Sequence, residues 1–279
     1  MWILRFLTAV LGLFGQGRSP AMMLNLTVPR STYRVHRDLT YGFGPRRRFD
    51  LYLPKTIPTP APVLLFFYGG AFRTGRKSEY RVIGEAFASK GIIVAVADYR
   101  IYPEARFPNF LQDGAAAFKA VLARVREFGG DPNRVFLAGH SAGAYIAVML
   151  AADPRWFKAE GLELSSIRGA VGIASSYGAF APGMVPNPVF AGRPASETQP
   201  VYFIDGKRPP MLFASGGRDT VASLEAARNL AAKLRSVESE VEDIVYPNAG
   251  HMGIILSLAP RFRHITALRD DIVRFVTTH

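Results

Sequence analysis

The chain has 279 residues, of which 49% are apolar, 12% aromatic and 20% charged. This supplies a full hydrophobic core and excludes intrinsic disorder. With no cysteine, a disulfide scaffold, a thiolate zinc site, an iron–sulfur cluster and a cysteine nucleophile are also excluded.

The net charge of +12 is uneven: residues 1–48 hold eight arginines (Arg5, Arg18, Arg30, Arg34, Arg37, Arg46, Arg47, Arg48) against one acid, Asp38. A solvated basic face is the expected reading, with weak attraction to an anionic membrane surface as its competitor. No aromatic–basic interleaving points to a nucleic-acid partner.

Residues 6–17 (FLTAVLGLFGQG) are apolar and follow Arg5. They are too short to span a bilayer as a helix. Three readings compete: a signal-peptide core with cleavage after Ala21, a surface helix with Leu7, Val10, Leu11 and Phe14 as its stripe, or a true start at Met22 or Met23. The cytoplasm is the expected location, and export or membrane attachment through residues 1–21 the alternative. Residues 1–30 form an extension to the domain that follows.

From residue 33 the pattern changes. Tyr33–Asp38 and Arg48–Leu53 alternate like half-exposed strands around the turn Gly42-Phe43-Gly44-Pro45. Near-continuous apolar runs follow at Val63–Tyr68, Ile92–Ala97, Val135–Ala138, Ala170–Ala174 and Met211–Ala214, as in strands buried on both faces of a parallel sheet. Val241–Tyr246 reads as a further strand nearer an edge. Helical spacing marks Ser78–Ser89, Asn109–Phe128, Ser141–Ala152, Ser223–Leu234 with Ser223 as its cap, and Thr266–Thr278. The alternation predicts one α/β domain over residues 31–279, a mostly parallel sheet with antiparallel first strands and helices on both faces. Residues 181–210 hold seven of the 20 prolines and read as a lid-like segment.

Gly139-His140-Ser141-Ala142-Gly143 lies between a strand and a helix. A serine at such a sharp turn is held out of the sheet, with glycines on either side relieving the crowding, and the helix dipole faces any anion formed there. Ser141 is therefore the candidate nucleophile. Of five histidines, His36 lies in a basic strand, His140 inside the turn, His264 in a basic stretch and His279 at the end. His251, just after the last strand, remains as the base. Asp219, after the Met211 strand, is the candidate acid that fixes the imidazole tautomer. Asp205 precedes its strand and Asp243 lies inside one, which makes them weaker rivals. The chain order serine, aspartate, histidine matches the α/β-hydrolase order.

An acyl-transfer site also needs donors to a developing oxyanion. The expected donors are the amides of Gly70 and Ala71, in Tyr68-Gly69-Gly70-Ala71-Phe72, and of Ala142. Phe72, Tyr102 and Phe190 are candidate walls of a substrate pocket, with a core role equally open. Asp98-Tyr99-Arg100, Pro103-Glu104 and Asp113 read as structural anchors behind the site.

On these residues the chain resembles a bacterial α/β-hydrolase esterase of the hormone-sensitive-lipase-like, kynurenine-formamidase-like and BD-FAE (feruloyl-esterase-like) groups. The resemblance runs from about Tyr33 to the end and rests on residues 68–72, Asp98-Tyr99-Arg100 with Pro103-Glu104, Gly130-Asp131-Pro132, residues 139–143, Asp219 and His251. It implies a carboxylesterase-type serine hydrolase acting on a small-molecule, short-chain ester, with no cofactor and no metal. Aryl-formamidase activity is the alternative, and a silent membrane-surface binding protein the more remote one. The family usually carries histidine where Tyr68 stands, at a position that supports the oxyanion loop.

Overall fold

The computed structural model describes residues 25–58, 60–177 and 187–279. The expectations for residues 1–21, for a start at Met22 or Met23, and for residues 181–186 lie outside the described residues. Eight strands are present among them: β1 (Tyr33–Thr40), β2 (Arg48–Pro54), β3 (Ala61–Phe67), β4 (Ile93–Ala97), β5 (Gly130–His140), β6 (Gly169–Ile173), β7 (Met211–Gly216) and β8 (Val241–Tyr246). They form one sheet in the order β1-β2-β4-β3-β5-β6-β7-β8. β1 and β2 pair antiparallel, as do β2 and β4, and every other pairing is parallel.

The sheet follows from the apolar runs. β3, β4 and β6 are buried at every position, and β5 is buried from Val135 onward. Strands covered on both faces need no polar alternation. β8, at the edge, is only half-buried along most of its length. β5 begins five residues earlier than its apolar run, because Gly130 pairs with Ala61 ahead of the continuous register.

Helices pack around the sheet: α1 (Arg81–Ala88), α2 (Asn109–Arg124), α3 (Ala142–Ala152), α4 (Arg155–Ala159), α5 (Asn187–Phe190), α6 (Ala195–Thr198), α7 (Leu224–Arg235), α8 (His251–Leu256) and α9 (Leu268–Thr278). α3 is apolar all round and buried at all its residues, the pattern of a helix enclosed by the core. α7 is capped as the sequence predicts, the Ser223 hydroxyl accepting from the Ala226 N–H at 3.1 Å. α2 stops short of the expected Phe128 and gives way to a 3-10 turn over Val125–Phe128, closed by Gly129 at φ 81°. The described part of the proline-rich stretch is not structureless: it holds α5, α6 and a 3-10 turn at Pro200–Phe203.

The basic amino-terminal face is partly spoken for. Arg46 donates to the Tyr68 hydroxyl and the Gly75 carbonyl, and Arg47 pairs with buried Asp113 at 2.9 Å. Arg100 forks onto the same Asp113 carboxylate. Buried Lys77 bridges Asp38 and Asp50 at 2.7 and 2.6 Å. A buried charge is tolerable when it is paired and hydrogen-bonded in this way. Arg46 and Arg47 are thus internal braces, which corrects the reading of this run as a solvated face. No helix among the described residues is long and apolar enough to cross a membrane.

Candidate active site

Parallel strands aim their carboxyl ends at one edge of the sheet, and ligands bind at that edge in open α/β sheets. β5, β7 and β8 deliver Ser141, Asp219 and His251 there. Ser141 follows β5 with φ 55° and ψ −120°, a backbone that L residues rarely adopt and that marks a strained turn. The flanking glycines are required sterically. A Cβ at Gly139 would meet the Gly143 backbone at 2.2 Å, and one at Gly143 would meet the Phe67 carbonyl at 2.0 Å.

His251 Nε2 lies 3.1 Å from Ser141 Oγ, and His251 Nδ1 lies 2.9 Å from Asp219 Oδ2. The sequence places this histidine in a loop. In the structure it opens the short helix α8, with Gly250 ahead of it in extended conformation. Asp219 is held from its other side by the N–H groups of Val221 and Ala222, both at 2.8 Å from Oδ1. Burial alone raises its pKa, but the hydrogen bonds from His251 and from those two amides outweigh burial and leave it below the usual carboxylate value. Neither rival acid shares this geometry. Asp205 is largely exposed and paired with Arg208, and Asp243 sits in the middle of β8.

Ser141 and His251 border a small cavity of about 60 Å³ whose walls include Ala71, Phe72, Ala142 and Ser176. Ala142 is the first residue of α3, so its N–H has no intrahelical acceptor. Gly70, Ala71 and Phe72 follow one another at φ 128°, 52° and 60°, a tight left-handed run that turns Ala71 into the cavity wall. Gly70 stands one residue behind that wall, and its carbonyl accepts from the Arg73 and Thr74 N–H groups at 2.9 and 3.0 Å.

The turn is supported from below through Tyr68. Its hydroxyl donates to Asp98 at 3.0 Å, the Lys77 N–H donates to the same carboxylate at 2.7 Å, and Tyr99 donates to the Tyr68 carbonyl at 2.7 Å. Burial raises the Asp98 pKa despite these donors.

The three candidate pocket residues separate. Phe72 walls the cavity. Phe190 does not; it stands behind Phe72, edge to face at 5.6 Å, in a cluster with Phe107, Phe110 and Tyr145. Tyr102 is not in the wall either. Its N–H donates to the Phe72 carbonyl at 2.8 Å, and its ring carries the guanidinium groups of Arg73 and Arg106 at 4.7 and 5.5 Å. The pocket roles of Phe190 and Tyr102 are corrected accordingly: both support the wall. Sequence reasoning missed Ser175, Ser176, Val221 and Ala222 of the wall, which the position after β6 and the proximity to Asp219 would have signalled. It also missed the contact of His140 with His251, described below. Among the described residues, no group of three or more histidine, aspartate or glutamate side chains is placed to hold a metal ion.

A parallel sheet with antiparallel first strands, carrying a serine elbow after its fifth strand, is the α/β-hydrolase fold. Solved structures agree: an esterase from the archaeon Pyrobaculum calidifontis superposes with a TM-score of 0.76 over 92% of this chain and 90% of that one, at 18% identity. Esterase B of Lactobacillus rhamnosis does so with 0.76 over 98% and 96%, at 16% identity. Residues 49–162 match the BD-FAE family model. Esterase LipC of Mycobacterium tuberculosis is 32% identical over 78% of this chain and 60% of its own length. Isoprenylcysteine alpha-carbonyl methylesterase ICME of Arabidopsis thaliana is 29% identical over 87% of this chain and 62% of its own. The chain spans less than two thirds of the length of these curated relatives. The chain is thus similar to the BD-FAE family over residues 49–162 and to these esterases over most of its own length.

Proposed function

We propose that the protein is a carboxylesterase-type serine hydrolase that cleaves short-chain esters through an acyl-enzyme. The observation that carries this reading is the hydrogen-bonded chain Ser141–His251–Asp219, at 3.1 and 2.9 Å, on the wall of a cavity that also presents Ala71 and Ala142. The names of the relatives, an esterase and a carbonyl methylesterase, support the ester class.

In this mechanism His251 Nε2 takes the Ser141 proton as Oγ attacks the ester carbonyl carbon. Asp219 holds Nδ1–H and stabilises the imidazolium. The oxyanion of the tetrahedral intermediate accepts from the Ala142 amide and from the Gly70–Ala71 turn. His251 then gives its proton to the leaving alkoxide oxygen. A water molecule, deprotonated by His251, repeats the attack on the acyl-enzyme and releases the acid. The lid-like role of the proline-rich segment belongs to the same reading.

The test is turnover of 4-nitrophenyl acetate and butyrate, falling away for acyl chains beyond about six carbons as added methylenes lose burial. Inertness toward both esters overturns the reading, and turnover of N-formylkynurenine in preference to both replaces it with aryl-formamidase.

A further inference from the structure

Ser176 stands between two cavities. On one side is the small cavity of about 60 Å³ that contains Ser141 and His251. On the other is a cavity of about 230 Å³, lined by Tyr177, Pro200, Val201, Ala226 and Leu230. Ser176 lines both, so the two cavities adjoin at this residue. This residue is also fixed: the Ser176 hydroxyl accepts from the Ser223 N–H at 2.8 Å. Three separate parts of the chain build the larger cavity. Ser176 and Tyr177 follow β6, Pro200 and Val201 belong to the 3-10 turn of the proline-rich segment, and Ala226 and Leu230 lie on α7, the helix that follows Asp219.

The walls are set rather than collapsible. Tyr177 and Leu230 are buried, and the Tyr177 ring packs on Phe213 at 5.1 Å. The lining is mostly apolar, so the cavity favours a hydrocarbon group over a charged one. Size separates the two spaces. The larger has about four times the volume of the smaller, 230 against 60 Å³.

We propose that the larger cavity is a subsite for the bulky half of an asymmetric ester. The substrate class has a small group on one side of the scissile bond and an aryl or branched aliphatic group on the other. This rests on the reading of Ser141 as the nucleophile, and goes beyond it by assigning the second cavity and the shape of the substrate. It also gives the proline-rich segment a binding role through Pro200 and Val201.

Two pairs of esters test it. Benzyl acetate against ethyl acetate varies the alcohol half, and methyl phenylacetate against methyl acetate varies the acyl half. In one pair kcat/KM for the bulky ester exceeds that of its small partner by about tenfold or more, the scale expected for burying several extra carbons. A preference in the first pair assigns the cavity to the alcohol, and a preference in the second to the acyl group. Either result supports the subsite.

Leu230→Trp fills the cavity from its floor, and Ala226→Phe fills it from the half-buried face of α7. Folding of each variant is checked by circular dichroism and thermal melting, and the second serves if the first fails to fold. Each brings the bulky-to-small ratio close to one. A loss that falls equally on both members of the pair, leaving the ratio unchanged, overturns the subsite. Turnover of vinyl acetate with no preference in either ester pair overturns the subsite and leaves the esterase reading standing. Absence of turnover on vinyl acetate as well overturns both.

Discussion

His140 Nε2 lies 3.1 Å from the main-chain carbonyl oxygen of His251, and the two imidazole rings are 4.9 Å apart. A carbonyl only accepts, so Nε2 carries the proton and His140 is held in one neutral tautomer. Its Nδ1 is buried without a hydrogen-bond partner. The residue beside the candidate nucleophile therefore grips the backbone of the candidate base, across 111 positions of chain. His140→Ala removes this grip. It is expected to lower kcat by on the order of tenfold to a hundredfold, the cost of a small misplacement of a reacting group. His140→Gln keeps an N–H donor and restores most of the loss, and steady-state kinetics of the two variants check this.

The same histidine sets a pH dependence of stability. Burial, with the neighbouring His251 acting in the same direction, pushes its pKa down to about 3. In the unfolded chain the value is about 6.5. Between these values only the unfolded state binds the proton, so stability falls as pH falls from about 6.5 toward 3, by up to about 1.4 kcal/mol per pH unit. Above the unfolded value the term vanishes. Urea melts at pH 7 and pH 4.5 are expected to show wild type losing about 2 to 3 kcal/mol more than His140→Gln. Equal losses in the two proteins contradict it.

Ser141→Ala is expected to leave the thermal melt close to that of wild type while turnover falls by several orders of magnitude, as it does when a triad serine is removed. A fluorophosphonate probe labels the wild-type protein at Ser141, read by peptide mass spectrometry. Labelling at another serine defeats the assignment.

Asp219→Asn is expected to lower kcat by on the order of 10⁴, because the amide favours the wrong histidine tautomer. Asp205→Asn and Asp243→Asn, measured beside it, show no loss of that size. Asp205 is tied to Arg208, and Asp243 lies within β8.

Phe190→Ala tests the support behind the cavity. Phe190 is buried against Phe72, Phe107, Phe110 and Tyr145. Truncation leaves a void under Phe72 and costs about 3 kcal/mol, measured by denaturant unfolding. With Phe72 free to recede, the acyl-length optimum for 4-nitrophenyl esters moves to longer chains. An unchanged optimum shows that the wall is held by other contacts.

The parts of the site that were legible in the sequence are those written locally. The Gly139–Gly143 spacing records a steric demand, since a side chain at either glycine would collide with backbone. Most of the parallel strands announce themselves as unbroken apolar runs; Asp219 is recognised by following one of them, and His251 by following the edge strand β8. What stayed hidden depends on partners far along the chain. Arg47 meets Asp113 across 66 residues and the ring of Phe190 meets that of Phe72, and no local pattern signals either pairing. Tyr102 illustrates the same limit, because its ring is occupied by Arg73 and Arg106 instead of facing the cavity. α8 escaped for another reason. Six residues are too few to show a helical period, and Gly250 gives no side-chain cap.

The loops bearing Asp219 and His251 are stitched together by their own main chains. The Gly217 N–H donates to the Tyr246 carbonyl and the Arg218 N–H to the Ala249 carbonyl, at 2.8 and 2.9 Å. Gly216 has no room for a side chain, since a Cβ there would lie 2.5 Å from the Ala249 oxygen. The candidate acid and base therefore travel as one mechanical part, while the candidate serine is mounted on a different one. For protein engineering, the unit that can be transplanted is the pair of loops, residues 216–223 together with 246–251. Exchanging either alone would cut the seam between them, whereas exchanging both keeps their alignment and leaves only the fit to the serine elbow to be rebuilt.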